Sequence, residues 1–260
     1  MISVVIRNKN EAPALEYILK ILHKVYQDDI DEIILVDNLS TDKSIEIAEN
    51  FNCRIVMIDD FTYGKAINLG ISTANNNLIL LLSSHAVPVG NSFFKNSIAE
   101  FAVNPSLAGM RYINSYANYK RAIDNNFKVK DGLNFGMMAG CAMVNKKVWY
   151  EFKFDETLVF SEDKEWSDRV LKAGYEIMDF NETFFYHINR DKKGILNRYK
   201  NETVAHYQLH KLKYISILKI FGVLFFRIMF QLPKEYMVKV FHEFRLFVIK
   251  IKIRRKLLSK

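Results

Sequence analysis

Cysteine is scarce in this chain: of 260 residues only Cys53 and Cys141 carry thiols, far apart and in apolar surroundings. That pattern excludes a disulfide framework and a cysteine zinc site, and it points to a reducing compartment. Secretion through a signal peptide is not expected, because MISVVIRNKNE turns apolar at once, without a basic segment, a long apolar stretch or a small-residue cleavage site. Cytosolic exposure is the expectation. No internal repeat and no low-complexity linker interrupts the sequence. The hydrophobic run ISILKIFGVLFFRIMFQL is broken by Lys219 and Arg227, which argues for a helix lying in a membrane interface rather than crossing the bilayer.

What is present suits a globular protein: half of the residues are hydrophobic and a quarter charged, enough to bury a large core. The net charge of +8 is unevenly spread, since Leu212 to Lys260 holds twelve Lys or Arg against Glu235 and Glu243, giving that tail +10 and the remainder −2. The asymmetry predicts a catalytic domain over 1–211 and a basic helical tail over 212–260 that meets an anionic partner. Beyond Pro233, Tyr236, Val240, Phe244, Phe247 and Ile251 recur at near-helical spacing among the cations, the pattern of an amphipathic helix on anionic lipid. Apolar residues interleaved with the cations favour a membrane over nucleic acid. Packing on the catalytic domain or in a homodimer is the alternative.

Through the first half, strand and helix patterns alternate. Strands are expected at Ile2 to Ile6, Glu32 to Val36, Arg54 to Ile58 and Leu78 to Leu82, and helices at Pro13 to Gln27, from Thr41 to about Phe51, and near Lys65 to Ala74. Asn10 or Glu11 is the expected cap of the first helix, with Pro13 in its first turn. The alternation predicts an α/β fold with a Rossmann-like, mostly parallel central sheet flanked by helices. In such sheets ligands bind at the carboxyl ends of the strands. After Pro88 come a helix at Phe93 to Val103, a strand at Ala108 to Tyr112, a polar loop over Asn114 to Asn134 suited to holding an acceptor, a strand at Met137 to Val144, a helix at Glu162 to Ala173 and a strand at Glu176 to Phe180.

Four segments in this order, IRNKNE, VDNLSTDKS, FTYGKAINLG with LLSSHAVP, and FDETLVFSEDKEWSDRVLKAGYEI followed by FFYHIN, span roughly Ser3 to Asn189. Together they resemble a family-2, inverting nucleotide-sugar glycosyltransferase with the GT-A fold, of a subgroup associated with surface polysaccharide synthesis. The resemblance implies hexosyl or deoxyhexosyl transfer from a nucleotide sugar to a hydroxyl of a lipid-linked saccharide, by a peripheral enzyme on the cytosolic face of the membrane. Transfer to polyprenyl phosphate is the alternative within this chemistry, and a non-catalytic nucleotide-sugar or membrane-binding module the alternative outside it.

Asp37 ends a strand where its carboxylate can accept a base or ribose hydrogen, although Asp37, Ser40 and Asp42 also read as an Asx turn and a helix cap. Glu11 resembles the acid that contacts base or ribose, or it stabilises a first helical turn. Lys65, after Gly64 at a helix start, offers charge and backbone amides to a diphosphate, unless it is simply solvated, and Asn68 sits one turn further on. Where the family carries an aspartate that binds a divalent cation, this chain reads Ser83, Ser84 and His85. Ser84 and His85 are placed at the donor. His85 suits Mn²⁺ better than Mg²⁺, which prefers oxygen, and protonated His85 touching phosphate directly, or packing in the fold, stays open.

His187 resembles the histidine that closes the family's cation site, or is a packed side chain. Asp163 resembles the base that takes the acceptor's proton. Glu162 orients the site, and Trp166 and Arg169 shape the acceptor side. Without the resemblance, the acids read as a helix N-terminus stabilised by the backbone dipole, and Trp166 and Arg169 as packing and ion-pair residues. The pair His206 and His210 lacks a zinc protease's intervening glutamate and reads as surface or packing.

Overall fold

In a computed structural model, residues 1–186, 188 and 191–258 are described, and the chain falls into two compact units, Met1–Lys211 and Leu212–Lys260. The first unit begins with β1 (Ile2–Asn8), α1 (Ala12–Val25), β2 (Ile30–Asp37), α2 (Ser44–Asn50), β3 (Arg54–Met57), α3 (Tyr63–Thr73) and β4 (Leu78–Ser83). It continues through β5 (Ala86–Pro88), α4 (Phe93–Val103), β6 (Leu107–Ile113), α5 (Tyr116–Asp124), α6 (Gly132–Phe135), β7 (Cys141–Asn145), α7 (Lys146–Glu151), α8 (Glu162–Lys172), β8 (Glu176–Tyr186) and α9 (Lys192–Leu209).

One eight-stranded sheet runs in the order β3-β2-β1-β4-β7-β6-β8-β5. Strands β3, β2, β1 and β4 are parallel, as are β6 and β8, while β7 runs against both of its neighbours and β5 against β8. The expected mostly parallel α/β sheet is therefore found. Side chains of β1 alternate between the faces. Ile2, Val4 and Ile6 meet Leu15, Ile18, Leu19 and Leu22 of α1, while Val5 meets Ala66, Ile67 and Ile71 of α3 and Trp166 of α8. Each fully buried Leu or Ile contributes roughly 1.5–3 kcal/mol.

Three expectations are corrected. The first helix takes no side-chain cap from Asn10 or Glu11; Asp42 reaches over from the β2–α2 loop and accepts the Ala12 N–H at 2.9 Å. The stretch 114–134 is not an open loop. It forms α5 and α6, with α5 tied down by Arg111 on Asn118 at 3.0 Å and by Arg121 on Asp179 at 2.6 Å. Strand β7 starts only at Cys141, because the Met137 N–H is drawn to the Ser167 hydroxyl at 2.8 Å and the Ala139 N–H to Asp163 at 2.8 Å. Glycine permits this close packing of α6 on α8: a Cβ at Gly132 would lie 2.4 Å from the Asp168 nitrogen, and one at Gly136 would lie 2.6 Å from the Ser167 Cβ.

The second unit is α10 (Ile217–Phe226), a π-helical turn (Arg227–Gln231) and α11 (Leu232–Leu258), none with a buried residue. Among the described residues no helix is long and apolar enough to cross a membrane.

Candidate active site

Register brings the carboxyl ends of β1, β2 and β4 together, pairing Asn8 with Asp37 and Arg7 with Ser83. The antiparallel strand β7 starts at the same edge, since Cys141 pairs with Leu82. Three groups of polar side chains gather there.

The first stitches the β1–α1 and β2–α2 loops. Asp37 is fully buried, and its carboxylate accepts the Ser40 N–H at 2.7 Å, the Ser40 hydroxyl at 2.7 Å and the Asn8 side-chain amide at 2.9 Å. Of the readings open for Asp37, the Asx turn is what the geometry displays. Asn10, at φ 52°, donates its backbone N–H to Ser40 and accepts from Thr41. The Asn8 Oδ1 is buried without a partner.

The second group pairs Glu11 with His85, whose Nε2 lies 3.2 Å from the Glu11 Oε1. His85 sits with the buried Ser84 in the turn between β4 and β5, its backbone N–H bonded to the Ser83 hydroxyl at 3.3 Å. An imidazole beside a carboxylate can share a proton, and it can equally supply two adjacent ligands of a divalent cation. Among the described residues no three His, Cys, Asp or Glu side chains cluster as a metal site. Small divalent cations bound with nucleotides take one or two protein ligands and fill the rest with phosphate oxygens and water, so the pair fits such a role. His187 lies outside the described residues.

The third group is acidic and surrounds the start of α8, which is entered through Ser161 in the left-handed region at φ 66°. The Asp163 carboxylate accepts the Ala139 N–H on Oδ2 and the Lys164 N–H on Oδ1, both at 2.8 Å, so its plane is fixed. Glu162 is buried, and its carboxyl is pushed up to about 7 by burial and by the Asp163 charge, with Arg7 pulling the other way. Arg7 donates to the Ala139 carbonyl at 2.7 Å, sits 3.7 Å from Glu162 and lies over the Tyr63 ring at 5.6 Å. The motifs did not single out Arg7. A charge closing an otherwise apolar buried strand was the available signal, since such charges persist only when paired.

Other expected residues lie elsewhere or are already engaged. Lys65 spends its backbone N–H on the Thr62 hydroxyl and pairs its ammonium with Asp60. Asn68 is a structural hub: its Oδ1 accepts from Trp149 Nε1 at 2.8 Å and the Phe154 N–H at 3.1 Å, and its Nδ2 donates to the Phe154 carbonyl and to Glu156, both at 2.9 Å. Trp166 is fully buried and stacked on Phe154 at 5.0 Å. Its indole N–H bonds the Phe152 carbonyl at 2.5 Å. Arg169 is held by Glu165 and the Lys153 carbonyl. Trp166 and Arg169 therefore hold α8 to the core. The rings of His206 and His210 lie 4.5 Å apart, tilted to one another, at the end of α9.

A profile described as glycosyl transferase family 2 matches residues 3–152, more than half of the chain. No curated protein sequence matches significantly. Solved structures of similar shape include the mannosyltransferase PcManGT from Pyrobaculum calidifontis in complex with GDP-Man and Mn²⁺, at 14% identity and a TM-score of 0.64, covering 83% of this chain and 65% of that one. Glucosyl-3-phosphoglycerate synthase from Mycobacterium tuberculosis with Mn²⁺ and UDP-glucose gives 14% identity and a TM-score of 0.63, covering 82% and 80%. TarS of S. aureus, residues 1–349, with UDP-GlcNAc gives 14% identity and 0.56, covering 75% and 60%. The chain thus spans just under two thirds of the mannosyltransferase's length. At such identities the likeness establishes the fold, the α/β GT-A architecture.

Proposed function

The chain belongs to glycosyl transferase family 2, and on that premise we propose that it transfers a sugar, with inversion, from a nucleotide-sugar donor to a hydroxyl of a lipid-linked saccharide in surface polysaccharide synthesis. The observation that carries the reading is the Asp163 carboxylate, locked by two backbone N–H groups beside the crevice at the strand ends. In the proposed step the acceptor oxygen attacks the anomeric carbon, its proton passes to Asp163, and the bond to the diphosphate breaks with its electron pair leaving on the phosphate. A base fixed in this way contributes typically 10²–10⁴-fold.

Glu11, Ser84 and His85 stand on the donor side, with Asp37 acting through the loop it braces. A divalent cation, Mn²⁺ in preference to Mg²⁺ because an imidazole is among the ligands, would be held by His85 and Glu11, with His187 as a further ligand. Bound there, it would neutralise charge on the departing diphosphate. The Mn²⁺ in the mannosyltransferase and synthase complexes supports this assignment. The donors in the three complexes differ in base and sugar but are all nucleoside diphosphate sugars. That supports the donor class and leaves base and sugar to experiment.

The tail extends the proposal to place. Phe221, Phe225, Phe230, Phe241 and Phe244 are all more than half exposed, and they stand among twelve Lys or Arg. Anionic lipid on the cytosolic face would bury the aromatic side chains and neutralise the cations, keeping the enzyme beside a lipid-linked acceptor.

Calorimetric titration of UDP, GDP and dTDP, each with Mn²⁺, Mg²⁺ or chelator, followed by turnover of the matching nucleotide sugar, tests the reading. Selective, metal-dependent binding and turnover are expected. Binding that ignores the metal would recast His85 as a direct phosphate contact, and an absence of any nucleotide binding would overturn the enzymatic reading.

A further inference from the structure

We propose that Arg7 is a positioning residue of the transfer reaction, setting the orientation of the Asp163 carboxylate through the Ala139 peptide and the Glu162 carboxyl. The inference rests on Asp163 as the base, and what it adds is a residue that touches neither sugar nor phosphate.

Its basis is a chain of contacts. Arg7 stands on β1 one residue after Ile6, so alternation turns its side chain to the face covered by α3 and α8. The side chain is only 10% exposed. One guanidinium nitrogen holds the Ala139 carbonyl at 2.7 Å, and the N–H of that same residue holds the Asp163 Oδ2 at 2.8 Å. Residue 139 is therefore clamped on both sides, by the arginine on one and the base on the other. A second nitrogen faces Glu162 at 3.7 Å, and the Tyr63 ring supports the guanidinium. The third nitrogen, Nε, is buried with no partner, a cost that persists only where the surrounding contacts dictate the position.

The charged groups facing Asp163 are Glu162 and Lys164 on α8 and Arg111 from β6, and Arg7 faces Glu162. Removing the Arg7 charge leaves Glu162 opposed by less positive potential, so its protonation becomes easier. Lysine in its place keeps the charge but, as a single point donor, cannot grip Ala139 and face Glu162 with the same fork.

The test uses full-length protein with Arg7→Gln and Arg7→Lys. The first readout is hydrogen exchange of the Ala139 amide, referenced to core amides of β1 such as Val5; the second is kcat and donor KM. For Arg7→Gln, Ala139 is expected to exchange faster while the reference amides do not, kcat to fall on the order of 10²-fold as for a misplaced catalytic group, and donor KM to stay within a few-fold. Arg7→Lys should lower kcat as well. Wild-type exchange at Ala139 with wild-type kcat in Arg7→Gln overturns the proposal, as does a kcat loss matched by equal loosening of the reference amides. Should Arg7→Gln not fold, the same two readouts on Arg7→Lys decide. Absence of turnover by the wild type itself would refute the proposed function, and Ala139 exchange would still test the link from Arg7 to Asp163.

Discussion

Replacing Asn68 with alanine deletes four hydrogen bonds from a side chain that is 6% exposed. Glu156 can turn its carboxylate to water. Left behind are the Trp149 indole N–H and the N–H and C=O of Phe154, in residues each 2% exposed. An orphaned buried polar group costs about 1–3 kcal/mol. A water entering the vacated space can satisfy two of the three groups, which leaves one orphan and brings the expected loss to roughly 1–3 kcal/mol rather than the full sum. For a domain of this size each kcal/mol lowers Tm by about 2–4 °C, so a fall of roughly 2–12 °C is expected. The assay is a thermal melt paired with nucleotide calorimetry at a temperature where both proteins are folded, and donor Kd should change by less than about threefold, under 0.7 kcal/mol. Asn68→Asp, which keeps the acceptor for Trp149 and the Phe154 N–H but sets a second carboxylate beside Glu156, should fall in between. A Tm within about 2 °C of wild type together with a tenfold or greater loss of donor affinity would refute this reasoning and return Asn68 to the donor site.

Other expectations follow from the same geometry. Asp163→Asn should lower transfer by about 10²–10⁴-fold with nucleotide Kd unchanged, because it removes proton acceptance at nearly constant volume; comparable turnover would remove Asp163 from the mechanism. His85→Ala should weaken nucleotide binding measured with Mn²⁺ and leave binding under chelator unaltered, whereas equal losses in both would point to a direct phosphate contact. Glu162 titrates in the fold at about 7, above its ordinary 4.5, so its contribution is fully present below pH 4.5 and is lost as pH rises toward 7. Glu162→Gln should therefore gain stability relative to wild type between pH 5 and 8, by up to about 3 kcal/mol, and parallel Tm–pH curves would contradict that. Full-length protein should sediment with vesicles containing anionic lipid at low salt and be largely released at about 1 M, where the screening length shrinks to roughly 3 Å; equal sedimentation with neutral vesicles would refute the role of the basic residues.

The first half of the fold was legible because α1 and α3 are amphipathic and its strands are apolar in their middles, so period separated them. Legibility failed over 114–134 for a physical reason. Helix α5 has a single buried residue, Ala122, and is anchored by Arg111 and Arg121 through Asn118 and Asp179, contacts with no periodic signal. Helix α6 exists through the tight approach of Gly132 and Gly136 to α8, which only the tertiary fold dictates. The start of β7 was misplaced likewise, since Met137 to Gly140 has a strand's composition but gives its N–H groups to α8.

For the site, the motifs located the strand ends but not the directions of the side chains, and competition for hydrogen bonds explains the difference. A polar residue beside a loop bonds to the nearest unsatisfied backbone group unless a stronger partner is in reach. Asp37 has the Ser40 N–H within its own turn and folds inward. Lys65 has Asp60 close by and turns to it. Glu11, whose helix start is capped by Asp42 instead, stays free to reach His85. Asp163 shows the opposite balance: each of its oxygens takes one backbone donor, from Ala139 and Lys164, and this leaves the carboxylate fixed while it remains partly exposed. Its enclosed neighbour Glu162, by contrast, has its carboxyl pushed up to about 7 by burial. Two adjacent carboxyl groups held in such unequal surroundings can divide the work, one accepting the proton and the other holding the arginine that steadies it.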